Sequence, residues 1–140
     1  MYDASQHICF NLGRVMRRIN SYYQQRLSPF GLTVSQFFVF NALWIGDGFS
    51  FSELAERVYL DSSTLTGIID RLERDGLVER RQDPQDRRSI QVFLTPKAKK
   101  AGPRVLELAN ELDASLRQSF PKADMETFEG VLRALAEKEI

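Results

Sequence analysis

Apolar residues recur every three or four positions along Ile8, Leu12, Val15, Ile19, Tyr22 or Tyr23, and Leu27. That spacing predicts one face of a long first helix. Ser28-Pro29-Phe30-Gly31 ends it, because proline cannot continue a helix and glycine suits the turn. Thr33, with Gln36 three residues on, has capping-box spacing. It opens a second helix carrying Phe37, Phe40, Leu43 and Trp44, which Gly46-Asp47-Gly48 closes. Phe49-Ser50-Phe51 reads as a short extended stretch. Ser52 is the expected cap of a third helix, Glu53 to about Tyr59, with Leu54, Ala55 and Val58 facing inward. Asp61-Ser62-Ser63 starts a fourth, running to about Asp75, with Leu65, Ile68, Ile69 and Leu72 on its buried side and Gly76 as C-terminal cap.

The period then changes from helical to alternating. Leu77–Arg81 and Ser89–Leu94 read as two short strands, joined by the turn-rich, arginine-rich tip Gln82-Asp83-Pro84-Gln85-Asp86-Arg87-Arg88. Thr95-Pro96 begins a fifth helix, with an interruption expected near Gly102-Pro103. Val105, Leu108, Leu112 and Leu116 continue on one face, Pro121 breaks the chain, and Phe128, Val131, Leu132 and Leu135 mark a last helix. The expected fold is mainly α. A helix pair joined by Leu60-Asp61-Ser62 and followed by a hairpin is a winged helix-turn-helix. This DNA-binding lobe spans 33–95 and has a two-strand wing. The flanking helices, 1–30 and 96–140, form a dimerisation region, and 1–140 is one domain. The apolar faces of the first and last two helices exceed what one small lobe covers, which argues for a homodimer.

Composition adds a local signal to a neutral whole. The formal net charge is zero, yet Arg71–Lys100 holds nine Lys/Arg against five Asp/Glu. A basic stretch in a neutral chain suits a phosphate-binding surface, or simply a solvated face. The single cysteine, Cys9, allows no intramolecular disulfide and fits a reducing compartment. With no signal-peptide pattern and no apolar run long enough to span a bilayer, a cytoplasmic location away from membranes is expected. One His and one Cys assemble neither a catalytic triad nor a zinc site, so no catalytic residue, metal or cofactor is expected.

Two constellations carry candidate chemistry. The fourth helix opens Ser62-Ser63-Thr64-Leu65-Thr66-Gly67. Small hydroxyl residues on its outer face let a helix lie deep in a major groove and bond base edges, and a helix N-terminus attracts phosphate. At the hairpin tip, Asp86-Arg87-Arg88 projects an arginine pair suited to a narrow minor groove. There Asp86 is placed to hold the Arg88 guanidinium by a charge-assisted hydrogen bond.

These runs resemble the MarR family of bacterial regulators. The matching residues are Leu54-Ala55-Glu56, Ser62-Ser63-Thr64-Leu65-Thr66, the stretch Ile69-Asp70-Arg71-Leu72-Glu73-Arg74-Asp75-Gly76-Leu77-Val78-Glu79-Arg80, and Asp83-Pro84-Gln85-Asp86-Arg87-Arg88 through Leu94-Thr95. The resemblance implies a dimeric transcription regulator, probing the major groove with the fourth helix and the minor groove with Arg88, oriented by Asp86. The implied DNA-facing set is Ser62, Ser63, Thr64, Thr66, Gly67, Arg71, Asp86, Arg87 and Arg88. Many members carry arginine at the position of Gly67. Two lobes would read an inverted repeat of double-stranded DNA with half-sites roughly 34 Å apart.

Cys9 stands where the organic-hydroperoxide-sensing branch of that family carries its reactive cysteine, and Tyr23 matches an assisting tyrosine. Two further tyrosine positions of that branch are Gly13 and Val34 here. A repressor released by an oxidant at Cys9, as part of a stress response, is one expectation. A small aromatic effector in a cavity lined by Phe10, Phe37, Phe38, Phe40 and Trp44 is another, and the inert reading of each group is core packing. The competing class is a winged helix that binds proteins instead of DNA.

Overall fold

A computed structural model describes residues 3–140. In chain order the elements are α1 (Ile8–Leu27), α2 (Val34–Ile45), β1 (Phe49–Ser50), α3 (Phe51–Val58), α4 (Ser62–Arg74), β2 (Val78–Gln82), β3 (Ile90–Leu94), α5 (Pro96–Gln118) and α6 (Lys122–Glu137). Short 3-10 turns occupy Ala4–Gln6 and Ser28–Phe30. The chain divides into two compact units, one reaching to Val105 and one from Leu106 onward.

The first unit is organised around α2, the most apolar helix. Phe37, Val39, Phe40 and Leu43 of α2 are buried with Leu54 of α3, with Leu65, Ile68, Ile69 and Leu72 of α4, and with Val92 and Leu94 of β3. Burying a side chain of this size stabilises by roughly 1.5–3 kcal/mol, so these residues fix α4 against the unit. The helix starts are specified locally. The Thr33 hydroxyl accepts from the Gln36 backbone N–H at 3.2 Å while the Gln36 side chain accepts from the Thr33 N–H at 2.9 Å, the reciprocal capping box. The third helix is capped by Ser50 and not by Ser52. The Ser50 hydroxyl accepts from the Glu53 N–H at 3.2 Å, so the helix begins at Phe51.

The wing has a third strand. β1 pairs antiparallel with β3 (Phe49 opposite Val92, Ser50 opposite Gln91), and β2 pairs with β3 from Val78 opposite Leu94 to Gln82 opposite Ile90. The sheet order is therefore β1-β3-β2. Asp47 extends this junction, its carboxylate accepting from the Leu94 N–H at 2.9 Å. Such pairing anchors the base of the hairpin to the loop after α2.

The expected interruption at Gly102-Pro103 does not occur: α5 runs through Pro103. The proline removes one helix hydrogen bond, and the helix continues past it. Gly102 lies directly against Trp44, so closely that a Cβ there would fall 2.0 Å from the indole ring. Only glycine lets the α5 backbone approach that ring. At the start of α5, the Thr95 hydroxyl donates to the Gly76 carbonyl at 2.6 Å and accepts from the Ala98 N–H at 3.2 Å. That pair of bonds joins the end of the sheet to the turn after α4.

The second unit contains the rest of α5 and all of α6. Arg117 bonds Asp113 at 2.7 Å and also pairs with Glu129 of α6. The hydrogen bond to Asp113 leads the causes that raise its pKa above the ordinary value. Leu116, Phe120, Phe128, Val131 and Leu132 of this unit are exposed. Within the first unit, Ile8, Phe10, Leu12, Val15 and Met16 of α1 are exposed as well. Among the described residues no helix is long and apolar enough to cross a membrane, and no cluster of His, Cys, Asp and Glu has metal-binding geometry.

Candidate nucleic-acid interface

The amphipathic pattern of α4 sorts its residues cleanly. Leu65, Ile68, Ile69 and Leu72 face the core, while Ser62, Ser63, Thr64, Thr66, Asp70 and Arg71 are exposed. Gly67 is half-buried, and nothing lies within 4 Å of where its Cβ would be. The outer face there is a smooth opening that a longer side chain would fill without a clash.

The N-terminus of α4 is occupied by its own cap. The Asp61 carboxylate accepts from the Thr64 N–H at 2.7 Å, from the Ser63 hydroxyl at 2.9 Å and from the Thr64 hydroxyl at 2.9 Å. These bonds, led by the one from the Thr64 backbone, hold the Asp61 carboxyl below the usual carboxylate range, so it is ionised at neutral pH. A phosphate at this helix end would meet a fixed negative charge, contrary to the expectation that the end attracts phosphate. The Thr66 hydroxyl donates to the Ser62 carbonyl at 2.7 Å. A hydroxyl carries one proton, so Ser63, Thr64 and Thr66 turn only lone pairs outward. Asp61 was legible as a helix start, but its command over two neighbouring hydroxyls depends on side-chain rotamers that no sequence spacing encodes.

The wing tip is short and internally braced. Across its neck the Asp83 N–H donates to the Ser89 carbonyl at 2.9 Å, and the Ser89 N–H donates to the Asp86 carbonyl at 3.0 Å. Gln82 donates to the Arg87 carbonyl at 2.8 Å, and Asp83 accepts from the Gln85 N–H at 2.9 Å. Asp86 accepts from the backbone N–H of Arg88 at 3.0 Å. Its contact is thus with the main chain of Arg88 and not with the guanidinium, and what it fixes is the direction in which the Arg88 side chain leaves the turn. Asp86, Arg87 and Arg88 are all exposed.

The other cations of the basic stretch are mostly engaged. Arg80 of β2 pairs with Asp70 and, at 3.1 Å, with Glu73, both on α4, and lies over the Phe51 ring at 5.5 Å. One guanidinium therefore ties the wing strand to α4 and to the first residue of α3. Sequence reasoning missed this clamp, because partners seven and ten residues apart become neighbours only once β2 folds back. Arg81 pairs with Glu79 over the Phe93 ring, Lys99 pairs with Asp47 at 3.2 Å, and Lys97 donates to the Asp75 carbonyl at 2.9 Å. Among the described residues of this stretch, Arg71, Arg87, Arg88 and Lys100 have no ion-pair partner. Arg71, Arg87 and Arg88, which the sequence resemblance places against DNA, are thus available to an external anion.

The effector candidates differ in burial. Phe37 and Phe40 are fully buried, Tyr23 is buried with its ring 5.0 Å from Phe37, and Trp44 stacks on Phe40 at 6.2 Å. Phe10, Phe38 and Trp44 are exposed. Cys9 is an exposed free thiol in the first turn of α1. Tyr23 sits fourteen residues further along the same helix, about 21 Å by helix rise, so within one chain the two do not meet. Two open surface depressions, one by Gln24, Ser28 and Leu32 and one by Arg117, Phe120 and Met125, include none of these candidates.

Comparison with known proteins matches this geometry to a family. The MarR family profile matches residues 32–90, the stretch that holds α2, β1, α3, α4, β2 and the wing tip as far as the first residue of β3. The regulator TtmR of Methylorubrum extorquens is 36% identical over 97 residues, 69% of this chain and 50% of its own length. SarZ of Staphylococcus saprophyticus is 30% identical over 126 residues, covering 90% of this chain and 82% of SarZ. The organic hydroperoxide resistance transcriptional regulator of Bacillus subtilis is 32% identical over 88 residues, 63% of this chain and 60% of the relative. The match thus spans about half the length of TtmR and somewhat more of the Bacillus protein. Among solved structures, Bordetella bronchiseptica BpsR, whose DNA binding is regulated by 6-hydroxynicotinic acid, superposes with a TM-score of 0.88 at 26% identity over 99% of both chains. With its winged helix-turn-helix, its matching central segment and relatives that cover most of its length, this chain belongs to the MarR family of DNA-binding transcriptional regulators.

Proposed function

We propose that this protein binds an inverted repeat of duplex DNA as a homodimer in the cytoplasm, placing the outer face of α4 in the major groove and Arg88 in the minor groove, and that it acts as a repressor. The observation that carries this reading is the braced wing tip with two uncommitted guanidinium groups, Arg87 and Arg88, in the same unit as the exposed hydroxyl row of α4. The exposed apolar faces of α1 and of the second unit are what a dimer would cover. With their protons committed to Asp61 and Ser62, the hydroxyls of Ser63, Thr64 and Thr66 accept and do not donate. They therefore suit the exocyclic amino groups of adenine and cytosine, the hydrogen-bond donors of the major groove.

Selection of binding sites from a random duplex pool tests this. The wild type is expected to enrich an inverted repeat with adenine or cytosine amino groups opposite α4. Asp61→Asn, which replaces the carboxylate oxygen that takes the Thr64 hydroxyl proton with a donor and removes a negative charge, is expected to bind random DNA more tightly and enrich a less defined repeat. Enrichment of the same sequence by both proteins would remove Asp61 from specificity.

For the effector step, the exposure of Cys9 and the complete burial of Phe37 and Phe40 favour the thiol over an aromatic pocket. The Cys9 thiolate would attack the terminal oxygen of an organic hydroperoxide, giving a sulfenic acid and releasing the alcohol. Hydroperoxide is then expected to release wild type, but not Cys9→Ser, from DNA in a fluorescence anisotropy titration. If both stay bound, the thiol is not the sensor and aromatic acids become the ligands to titrate.

A further inference from the structure

Tyr59 is the one non-glycine residue among those described that has positive φ, at 55° with ψ 41°. It ends α3, and its neighbour Leu60 closes the turn by donating to the Ala55 carbonyl at 3.1 Å. A left-handed backbone is strained for any side chain with a Cβ and favours glycine or asparagine. Strain of this kind is normally offset by packing, yet Tyr59 is 93% exposed, and no ring contact or hydrogen bond involves its side chain. In the free protein the phenol contributes nothing visible to the fold, while its Cβ costs stability.

Its position suggests what it serves. Tyr59 lies three residues before Ser62, in the turn that delivers α4. When a helix fills a major groove, the turn ahead of it passes the groove wall, where the accessible groups are phosphate oxygens and sugars and not base edges. A cation in this turn would have the Asp61 carboxylate close by as an alternative partner, whereas a neutral phenol keeps its donor free. The nearby Arg57 is already placed over the Phe49 ring at 4.6 Å.

We propose that Tyr59 is a DNA-backbone contact, its hydroxyl donating a hydrogen bond to a phosphate at the edge of the groove that α4 enters. This rests on the DNA-binding reading above. The strained backbone at residue 59 is then tolerated because it aims the phenol outward.

The test compares Tyr59→Asn, Tyr59→Phe and Arg88→Ala with wild type, by thermal unfolding and by anisotropy on two duplexes, one from upstream of the protein's own gene and one of random sequence. Tyr59→Asn is expected to unfold at the same or a higher temperature than wild type, yet to bind both duplexes about 5- to 10-fold more weakly. The loss is the same on both because a phosphate contact carries no sequence information. Tyr59→Phe, which keeps the ring, is expected to lose nearly as much. Binding of Tyr59→Asn within twofold of wild type, while Arg88→Ala is weakened, would overturn the contact and leave the DNA reading standing. Wild-type affinity in Tyr59→Phe would overturn the phosphate hydrogen bond. If wild type itself binds neither duplex, both readings fall.

Discussion

Arg88→Ala is expected to weaken binding to the operator by about 10- to 100-fold, the effect of roughly 1–3 kcal/mol that one well-placed arginine contributes at a groove. The guanidinium is solvent-exposed and has no ion-pair partner among the described residues, so its removal strands no buried partner. The unfolding temperature should therefore stay within a degree or so of wild type. The salt dependence of binding should become shallower by about one counterion. Asp86→Ala probes the same contact indirectly. It breaks the 3.0 Å bond to the Arg88 backbone N–H and should cost affinity without removing a positive charge. Anisotropy titrations over a range of salt concentrations check the three statements about binding, and a thermal melt checks the one about stability. Unchanged affinity in Arg88→Ala would take the wing tip out of the interface.

The second large effect concerns stability. Phe37→Ala should destabilise the fold by about 3–5 kcal/mol, because it removes a completely buried ring and leaves a cavity. The ring is 5.0 Å from Tyr23 and 5.7 Å from Phe38, centroid to centroid, so deletion also strips Tyr23 of its main aromatic neighbour. Proteins of this size are stable by only about 5–15 kcal/mol, so the change should be plain in a denaturant titration, with a lower midpoint and a similar slope. The same variant separates core from effector pocket. A ring that lines a functional cavity could be deleted at little cost in stability, whereas one that fills the core could not. A loss below about 1 kcal/mol would revive the aromatic-ligand reading.

Much of this architecture was legible in the residue pattern, and the failures have identifiable physical causes. The faces of α4 followed from Leu65, Ile68, Ile69 and Leu72, because a helix buried on one side must repeat its apolar residues every three or four positions. The hairpin followed from the switch to period two at Ile90–Leu94. From sequence β1 is no more than a short extended stretch, since two residues carry no periodicity and its strand character comes from pairing with β3. The α3 cap is Ser50 and not Ser52, because both serines suit the role and only the fold shows which hydroxyl meets a free helix N–H, that of residue 53. Pro103 misled in the opposite direction. The local rule predicts a break, but the close packing of Gly102 on Trp44 supports a continuous helix.

The candidate interface divides along the same line. Which residues face outward on α4 and at the wing followed from amphipathicity and from the impossibility of burying Arg87 and Arg88 at a hairpin tip. What those residues offer a partner did not. The acceptor-only hydroxyls, the main-chain bond of Asp86 and the Arg80 clamp on Asp70 and Glu73 all depend on side chains meeting in three dimensions. The net basic count between Arg71 and Lys100 likewise overstated the free positive charge, because folding pairs several of those cations internally.

The most direct test of the central claim is wild-type binding to duplex DNA from upstream of the protein's own gene and to random duplex, followed by anisotropy as salt rises from about 50 to 200 mM. A sequence-selective DNA-binding regulator should prefer the first duplex and lose affinity steeply with salt on both. No binding to either duplex at the lowest salt, where phosphate contacts are strongest, would contradict the account and identify this winged helix as one that recognises something other than DNA.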